Sequence, residues 1–254
     1  MPYEPERRRF FVEDLSAEPI MLTGGEAHHA ANVLRLKVGA EVELFDGRGG
    51  RALGRITQVR RSEVTVEVTH RLDRPARPQP VVHLGFAVPK GKRLDWLLEK
   101  ATELGAASLR PVAFERSVAG EDDLSGHKQQ RWQQHCVAAA KQCGLDFLPE
   151  LAQVQAAAEF AAHARSAGWL SLVGDPGEAC VPLRAALDEW APGWEIALLV
   201  GPEGGLTDAE RHVLAEAGFA AVRLGSTTLR IETAAVALLA AVTAMCGTEY
   251  LESR

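Results

Sequence analysis

Two short stretches near the carboxy end bring together residue types that can do chemistry. One is Leu199-Val200-Gly201-Pro202-Glu203-Gly204-Gly205-Leu206-Thr207; the other, about twenty residues on, is Leu224-Gly225 followed by Leu229-Arg230-Ile231-Glu232-Thr233. Glycine lets backbone come close to something flat or wide with no Cβ in the way. A loop carrying Gly201, Gly204 and Gly205 can therefore hold an adenine through its N–H and C=O groups. Arg230 offers a guanidinium that stays charged and clamps two acceptors. Glu232 can orient it, or act as a base if burial raises its pKa; Glu203 is the other carboxylate in the pair of motifs. The common phosphate cradles do not fit. No Lys-Ser/Thr follows the glycines as in a P-loop, and no G-x-G-x-x-G follows an expected strand.

The surrounding pattern puts both stretches at strand ends. Ile196–Val200 reads as an apolar strand running into the glycine turn, and Thr207 with Glu210 forms the capping box of a following helix. Residues 221–224 read as a second strand, ending at Gly225. Two strand ends close in sequence, each followed by a loop, are the usual ligand position in an open α/β sheet. A helix begins near Ile231, and its interior, residues 234–242, is apolar on every face, which predicts burial all round. An arginine and a glutamate at the mouth of such a helix are costly unless they pair or bind something.

Upstream, strands at 81–88, 109–114 and 169–173 alternate with helices at 93–104, 124–143 and 156–164. Leu94, Leu97, Leu98 and Ala101 fall on one face of the first of these helices. Such alternation implies a parallel sheet with helices on both faces. Before residue 71 the pattern is β, with strands at 41–45, 51–59 and 63–68, a hairpin turn at Asp46-Gly47 and a short helix at 26–36. The prolines within 71–80 favour extended backbone. The expected parts are a small β-barrel domain at 1–74, a linker at 75–80 and an α/β domain at 81–254.

The 254 residues hold 34 Asp+Glu against 28 Lys+Arg, a net charge of −6, which argues against an indiscriminate nucleic-acid binder. The first 75 residues are balanced, with twelve of each sign, and eleven of the twelve basic residues are arginine. That module can meet RNA through a local patch. The four cysteines, Cys136, Cys143, Cys180 and Cys246, make no C-x-x-C pair and have no histidine at ligand spacing. Neither a metal nor a disulfide is expected, and a reducing cytoplasm is the expected compartment. The start lacks the apolar core of a signal peptide, and the helix from Ile231 is too short to span a membrane.

GPEGGLTDAE, then LG, then LRIETAA resemble the carboxy-terminal signature of the knotted SPOUT methyltransferases. More narrowly, they resemble the bacterial enzymes that methylate N3 of a uridine in 16S ribosomal RNA. Arg9-Phe10-Phe11-Val12, His29-Ala30-Ala31-Asn32-Val33-Leu34-Arg35 and Leu44-Phe45-Asp46-Gly47 match that family's amino-terminal domain. Lys90-Gly91-Lys92, Glu99-Lys100-Ala101-Thr102-Glu103-Leu104-Gly105 and Gln142-Cys143-Gly144 match its middle, so the resemblance covers nearly the whole chain.

The resemblance implies an α/β SPOUT methyltransferase domain with a mostly parallel sheet and a trefoil knot, preceded by a PUA-like β-barrel. It implies S-adenosylmethionine as cofactor, in a pocket formed by Leu199, Val200, Gly201, Pro202, Gly204, Gly205, Leu224, Gly225, Leu229 and Thr233. Arg230, Glu232 and Glu203 become the catalytic residues, with the proton acceptor being either glutamate. Arg9, His29, Arg35, Lys90 and Lys92 become RNA contacts, and Gly144 with the residues before it lies near the substrate base. The implied partners are 16S RNA of the small ribosomal subunit and a second copy of the chain, paired through the carboxy-terminal domain; no metal and no membrane are implied. N3 of uracil is a poor nucleophile until its proton leaves, so the site needs a proton acceptor and a positive group near O2 or O4. Two departures from the family remove positive charge: Ser226 and Thr227 replace a proline and an arginine, and Leu145 stands where many members have an arginine. A related enzyme acting on a ribose 2′-hydroxyl or on transfer RNA is one alternative. A non-catalytic RNA-binding or ribosome-assembly protein is the other.

Overall fold

In the computed structural model, which describes residues 8–117, 126–177 and 180–247, the chain divides into two units. The first comprises Met1–Arg77 with Ala140–Leu148; the second comprises Pro78–Ala139 with Pro149–Arg254.

Five strands build the first unit: β1 (Arg9–Phe11), β2 (Ile20–Thr23), β3 (Glu41–Phe45), β4 (Arg51–Val59) and β5 (Glu63–Leu72). They form one curled sheet in the order β1-β3-β4-β5-β2, antiparallel except for the β1–β3 pair. Side chains alternate between faces along a strand, so Val42, Leu44, Ala52, Ile56, Val64 and Val66 meet in one core with Phe10 and Leu22. β5 runs past its expected end: Arg71 and Leu72, which read as the start of the proline-rich stretch, pair with Ala52 and Arg51. The turn at Asp46-Gly47 is a longer loop, in which Asp46 Oδ1 accepts from the N–H groups of Arg48 at 2.7 Å and Gly50 at 2.8 Å. The helix expected at 26–36 is α1 (Gly24–His28), continued by a π-helical turn at His29–Val33.

Residues 140–148, expected in the carboxy-terminal domain, belong to this first unit, and Arg9 shows why. It is buried, pairs with Asp146, lies 3.3 Å from Glu43 Oε1 and donates to the Ala140 carbonyl at 3.3 Å. Its guanidinium also stacks 4.2 Å from the Phe45 ring centroid. Lys141 adds bonds of 2.9 Å to both oxygens of Glu26.

The second unit is an α/β sheet. Its strands are β6 (Val82–Ala87), β7 (Ser108–Ala113), β8 (Glu150–Leu151), β9 (Gln155–Ala156), β10 (Leu170–Gly174), β11 (Val181–Pro182), β12 (Ile196–Val200) and β13 (Ala220–Arg223). The order is β11-β13-β10-β12-β6-β7-β8, with β9 also on β7, and every pair is parallel. Parallel strands covered on both faces read as unbroken apolar runs; β6 and β12 are buried at every residue. Gly85 in β6 permits a close approach, since a Cβ there would stand 2.9 Å from both Leu199 and Phe160.

The helices are α2 (Lys92–Glu103), α3 (Gly126–Cys143), α4 (Ala157–Ala167), α5 (Leu183–Leu187), α6 (Asp208–Glu216) and α7 (Ile231–Cys246). α2 buries Leu94, Leu97, Leu98 and Ala101, as its spacing predicts, and packs on α7, which lies over β6 and β12. The expectation that α7 is buried all round fails. Ala235, Leu238, Leu239 and Val242 are buried, but Val236, Ala237, Ala240 and Ala241 are half-covered and Met245 is 40% exposed.

At the amino-terminal ends of the strands, His83 is held between Ser108 Oγ and Glu195 Oε2, each at 2.8 Å, and stacks on Trp169. Burial holds its imidazole below the ordinary 6.5, against the opposing pull of Glu195. Between the lowered folded value and 6.5 the unfolded chain binds a proton that the folded chain does not. The resulting stability is present above 6.5 and is lost as pH falls through it. The thermal midpoint should therefore drop on going from about pH 7 to about pH 5, and His83→Gln should flatten that slope. An equal slope in the variant, followed by scanning fluorimetry, would assign the loss to other groups.

Candidate active site

β12 can end where it does because Gly201 and the turn after it release the chain from the sheet. α6 then starts with the predicted capping box: Thr207 Oγ1 accepts from the Glu210 N–H at 3.3 Å, and Glu210 Oε2 accepts from the Thr207 N–H at 2.8 Å. Arg116, which the motifs did not point to, pins the loop between them by donating to the Gly204 carbonyl at 3.1 Å and the Leu206 carbonyl at 3.5 Å.

The carboxy ends of β10, β12 and β13 enclose a cavity of about 370 Å³, lined by Gly174–Gly177, Val200–Glu203, Gly205, Leu206, Arg211 and much of the segment from Val222 to Ile231. Small-molecule sites are of this size and largely apolar, with a few placed polar groups. Leu206, Val222, Leu224, Leu229, Ile231 and Leu238 supply the apolar surface. A Cβ on Gly201 would stand 2.8 Å from Leu206, whereas at Gly225 it would meet nothing within 4 Å. These features fit an adenosyl group: flat apolar walls, with glycine backbone at the rim.

Most expected cofactor residues are on this wall, namely Val200, Gly201, Pro202, Gly205, Leu224, Gly225 and Leu229. Leu199, Gly204 and Thr233 do not line it. Leu199 is a core residue at 0% exposure, and a Cβ on Gly204 would meet Arg116 at 3.2 Å. Thr227, one of the two departures, lines the wall as a neutral hydroxyl. The Gly174-Asp175-Pro176-Gly177 turn was missed, although a strand running into Gly-Asp-Pro-Gly is itself a readable turn signal.

The candidate catalytic residues separate. Glu203 lines the cavity with a side chain 47% exposed, and Arg93 of α2 donates to its Oε1 at 2.8 Å. Glu232 is buried, does not line the cavity, and has an Oε2 without a hydrogen bond, 3.8 Å from the same Arg93 nitrogen. The expected pairing of Glu232 with Arg230 is therefore replaced by one with Arg93. Arg230 caps the start of α7, is exposed, and has no ion-pair partner among the described residues. Its neighbours Leu229 and Ile231 both line the cavity.

The expected RNA contacts divide too. Arg9 is corrected to a structural residue, since its charge is spent on Asp146 and Glu43 in the interior. His29 packs edge-on against Phe10, and burial with the nearby Lys141 charge holds its pKa below 6.5. Arg35 is exposed, in a left-handed backbone conformation with φ 52°, beside exposed Val33 and Leu34. Lys90 and Lys92 are exposed without ion-pair partners among the described residues. No metal-ligand cluster and no helix long and apolar enough to cross a membrane occur among the described residues.

Comparison with known proteins places this geometry. Residues 76–243 match the RNA methyltransferase domain family, and residues 22–69 match the RNA methyltransferase PUA domain. The ribosomal RNA small subunit methyltransferase E of Mycobacterium tuberculosis (strain CDC 1551 / Oshkosh) is 32% identical over 92% of this chain and 90% of its own length. The protein of the same name from Bacillus subtilis (strain 168) is 28% identical over 92% of this chain and 95% of its own. Among solved structures, ribosomal RNA small subunit methyltransferase E from Neisseria gonorrhoeae bound to S-adenosyl methionine superposes with a TM-score of 0.83. It is 30% identical and matches over 94% of this chain and 98% of that one.

Gly225 is a direct probe of the cavity, because it has room for a side chain without strain. Gly225→Val should lower affinity for S-adenosylmethionine more than tenfold, at least about 1.4 kcal/mol, while leaving the melting temperature near the parent's. Gly204→Val should perturb Arg116 and change affinity much less. Calorimetry giving the reverse order would move the ligand to the other side of the loop.

Proposed function

The chain belongs to the ribosomal RNA small subunit methyltransferase E family, and from its geometry we propose how its residues divide the work of methylating RNA. It is an S-adenosylmethionine-dependent methyltransferase of ribosomal RNA with an α/β SPOUT catalytic domain and a PUA domain. The reaction assigned is methyl transfer to N3 of a uridine in 16S RNA, giving m3U1498. The observation that carries the assignment of roles is the cavity over β10, β12 and β13, with the accessible Glu203 on its wall and Arg230, without an ion-pair partner among the described residues, at its margin.

S-adenosylmethionine, held against Val200, Gly201, Gly225 and Leu229, supplies a methyl group that its sulfonium makes electrophilic. Glu203 accepts the N3 proton, because it lines the cavity and half of its side chain is open to a substrate. Arg93 orients that carboxylate through the 2.8 Å bond to Oε1. Glu232 is too enclosed to meet a base and serves to anchor Arg93 and the start of α7. Arg230 offsets the negative charge that gathers on O2 and O4 as N3 loses its proton, a role for which a permanently charged, unshared guanidinium is suited. Arg35, Lys90 and Lys92 are exposed cations that suit phosphate contacts.

Incubation with 16S RNA or small subunits, followed by mass mapping of the methylated base, tests the reaction. Arg230→Ala should cut turnover about a hundredfold or more, by analogy with loss of one oxyanion donor. Its affinity for S-adenosylmethionine should stay near the parent's, and Arg230→Lys should recover little. An alanine variant that folds and methylates at the parent rate would reduce Arg230 to a cap.

The half-covered side of α7 supports a homodimer, since Val236, Ala237, Ala240, Ala241 and Met245 present apolar surface that a second copy would cover. Sedimentation should give a dimer at micromolar concentration, weakened by Met245→Glu. A fully active monomer would count against it.

A further inference from the structure

The cavity wall holds one carboxylate that the methyl-transfer scheme does not use. Asp175, in the turn after β10, is only 8% exposed and lines the cavity together with its partner Arg211 of α6. Arg211 Nε donates to Asp175 Oδ2 at 2.6 Å, and Nη2 donates to Oδ1 at 3.5 Å. Arg211 Nη1 also reaches Asp208 Oδ1 at 3.3 Å, which fixes the guanidinium from its other side.

Asp175 is enclosed while the side chain of Arg211 is 43% exposed; such a pair adds little to stability, so its place on a mostly apolar cavity wall points to a ligand. An ionised carboxylate has about four lone-pair sites, and Arg211 occupies one on each oxygen. Each oxygen can still accept one more donor. The guanidinium already neutralises the carboxylate, so a cationic ligand group would gain little from it and would be repelled by Arg211. An anion such as a phosphate would be repelled by Asp175. A neutral group with two adjacent hydroxyls meets neither objection, because it donates one O–H to each oxygen and leaves the ion pair intact.

We infer that Asp175 reads the ribose 2′,3′-diol of the adenosyl cofactor, with Arg211 as the positioning residue that aims the carboxylate. This rests on reading the cavity as the S-adenosylmethionine site. Acidic residues at strand ends of α/β sheets take the ribose hydroxyls of dinucleotides by the same chemistry, although no dinucleotide fingerprint is present here. The apolar surface of Leu224, Leu229 and Leu238 is then left to the adenine.

Calorimetry with S-adenosylhomocysteine, its 2′-deoxy counterpart and 5′-methylthioadenosine tests the inference on the whole chain. The parent should bind the deoxy ligand roughly ten- to a hundredfold more weakly, the range for hydrogen bonds to a charged group. Asp175→Asn should weaken S-adenosylhomocysteine and 5′-methylthioadenosine by similar factors, and the deoxy ligand, which keeps only the 3′-hydroxyl bond, by clearly less. Arg211→Gln should shrink the ribose-to-deoxyribose ratio, and Arg211→Lys should restore part of it. Equal losses for the ribo and deoxy ligands would make Asp175 a purely structural residue and overturn the inference. A loss confined to S-adenosylhomocysteine would overturn it in favour of the amino-acid tail. The parent's own ratio needs no variant to fold, so a ratio near one is decisive against the diol. If the parent binds none of the three ligands, the cofactor reading of the cavity itself fails, and the inference fails with it.

Discussion

β12 has at most 3% exposure at any of its five residues. Backbone so deeply buried must pair every N–H and C=O, and β12 does so between β10 and β6, two strands that the chain lays down far apart in sequence. The register makes the strand ends level: Val200 sits opposite Gly174 of β10 and Phe86 of β6, and Gly174 sits opposite Val222 of β13. Three loops therefore leave the sheet at one height. The cavity is their common space, and α2, entered a few residues after β6, delivers Arg93 to Glu203 of its wall. Move β12 by one residue and its side chains exchange faces, taking Gly201 away from Leu206 and Glu203 away from Arg93.

Much of this was legible because burial on both faces leaves a strong trace in composition. Glu41–Phe45, Arg51–Val59 and Ile196–Val200 match their expected bounds, and most other elements shift by one or two residues. The failures have physical causes. α7 reads as buried all round because alanine and valine are apolar wherever they point, and periodicity cannot say whether a neighbour covers a given side. Segment 140–148 begins inside the last turn of α3, yet it groups with the first unit, where Arg9, more than a hundred residues away in the chain, bonds to Ala140 and Asp146. Strand order is a matter of chain path, for which local sequence has no periodicity to show.

The arginines show the same limit in sharper form. Arg9, Arg93, Arg211 and Arg230 look alike in sequence, and the structure gives them four different duties. Arg9 is enclosed with two carboxylates, Arg93 bridges Glu203 and Glu232, Arg211 holds Asp175, and Arg230 is unpaired among the described residues. A guanidinium is never neutralised by burial, so each buried or half-buried one needs a local carboxylate. Of the four, Arg230 alone has no carboxylate partner among the described residues. The motif Arg-x-Glu-Thr suggested an internal pair, but on a helix start the first residue is outside the turn and the third is in it, so the two side chains diverge.

That divergence also explains how Glu232 tolerates its burial. It lies in the first turn of α7, where unpaired N–H groups give the helix end a partial positive charge. Arg93 adds a full charge at 3.8 Å from Oε2. The carboxylate is thus stabilised by its surroundings rather than by contact with Arg230, which sits at the cap and keeps its hydrogen-bonding capacity free. Glu232 is also closed to the cavity, whereas Glu203 lines it with one bond from Arg93 and half of its side chain open. The first turn of α7 encloses Glu232, while Glu203 stays accessible on the cavity wall and Arg230 has no ion-pair partner among the described residues.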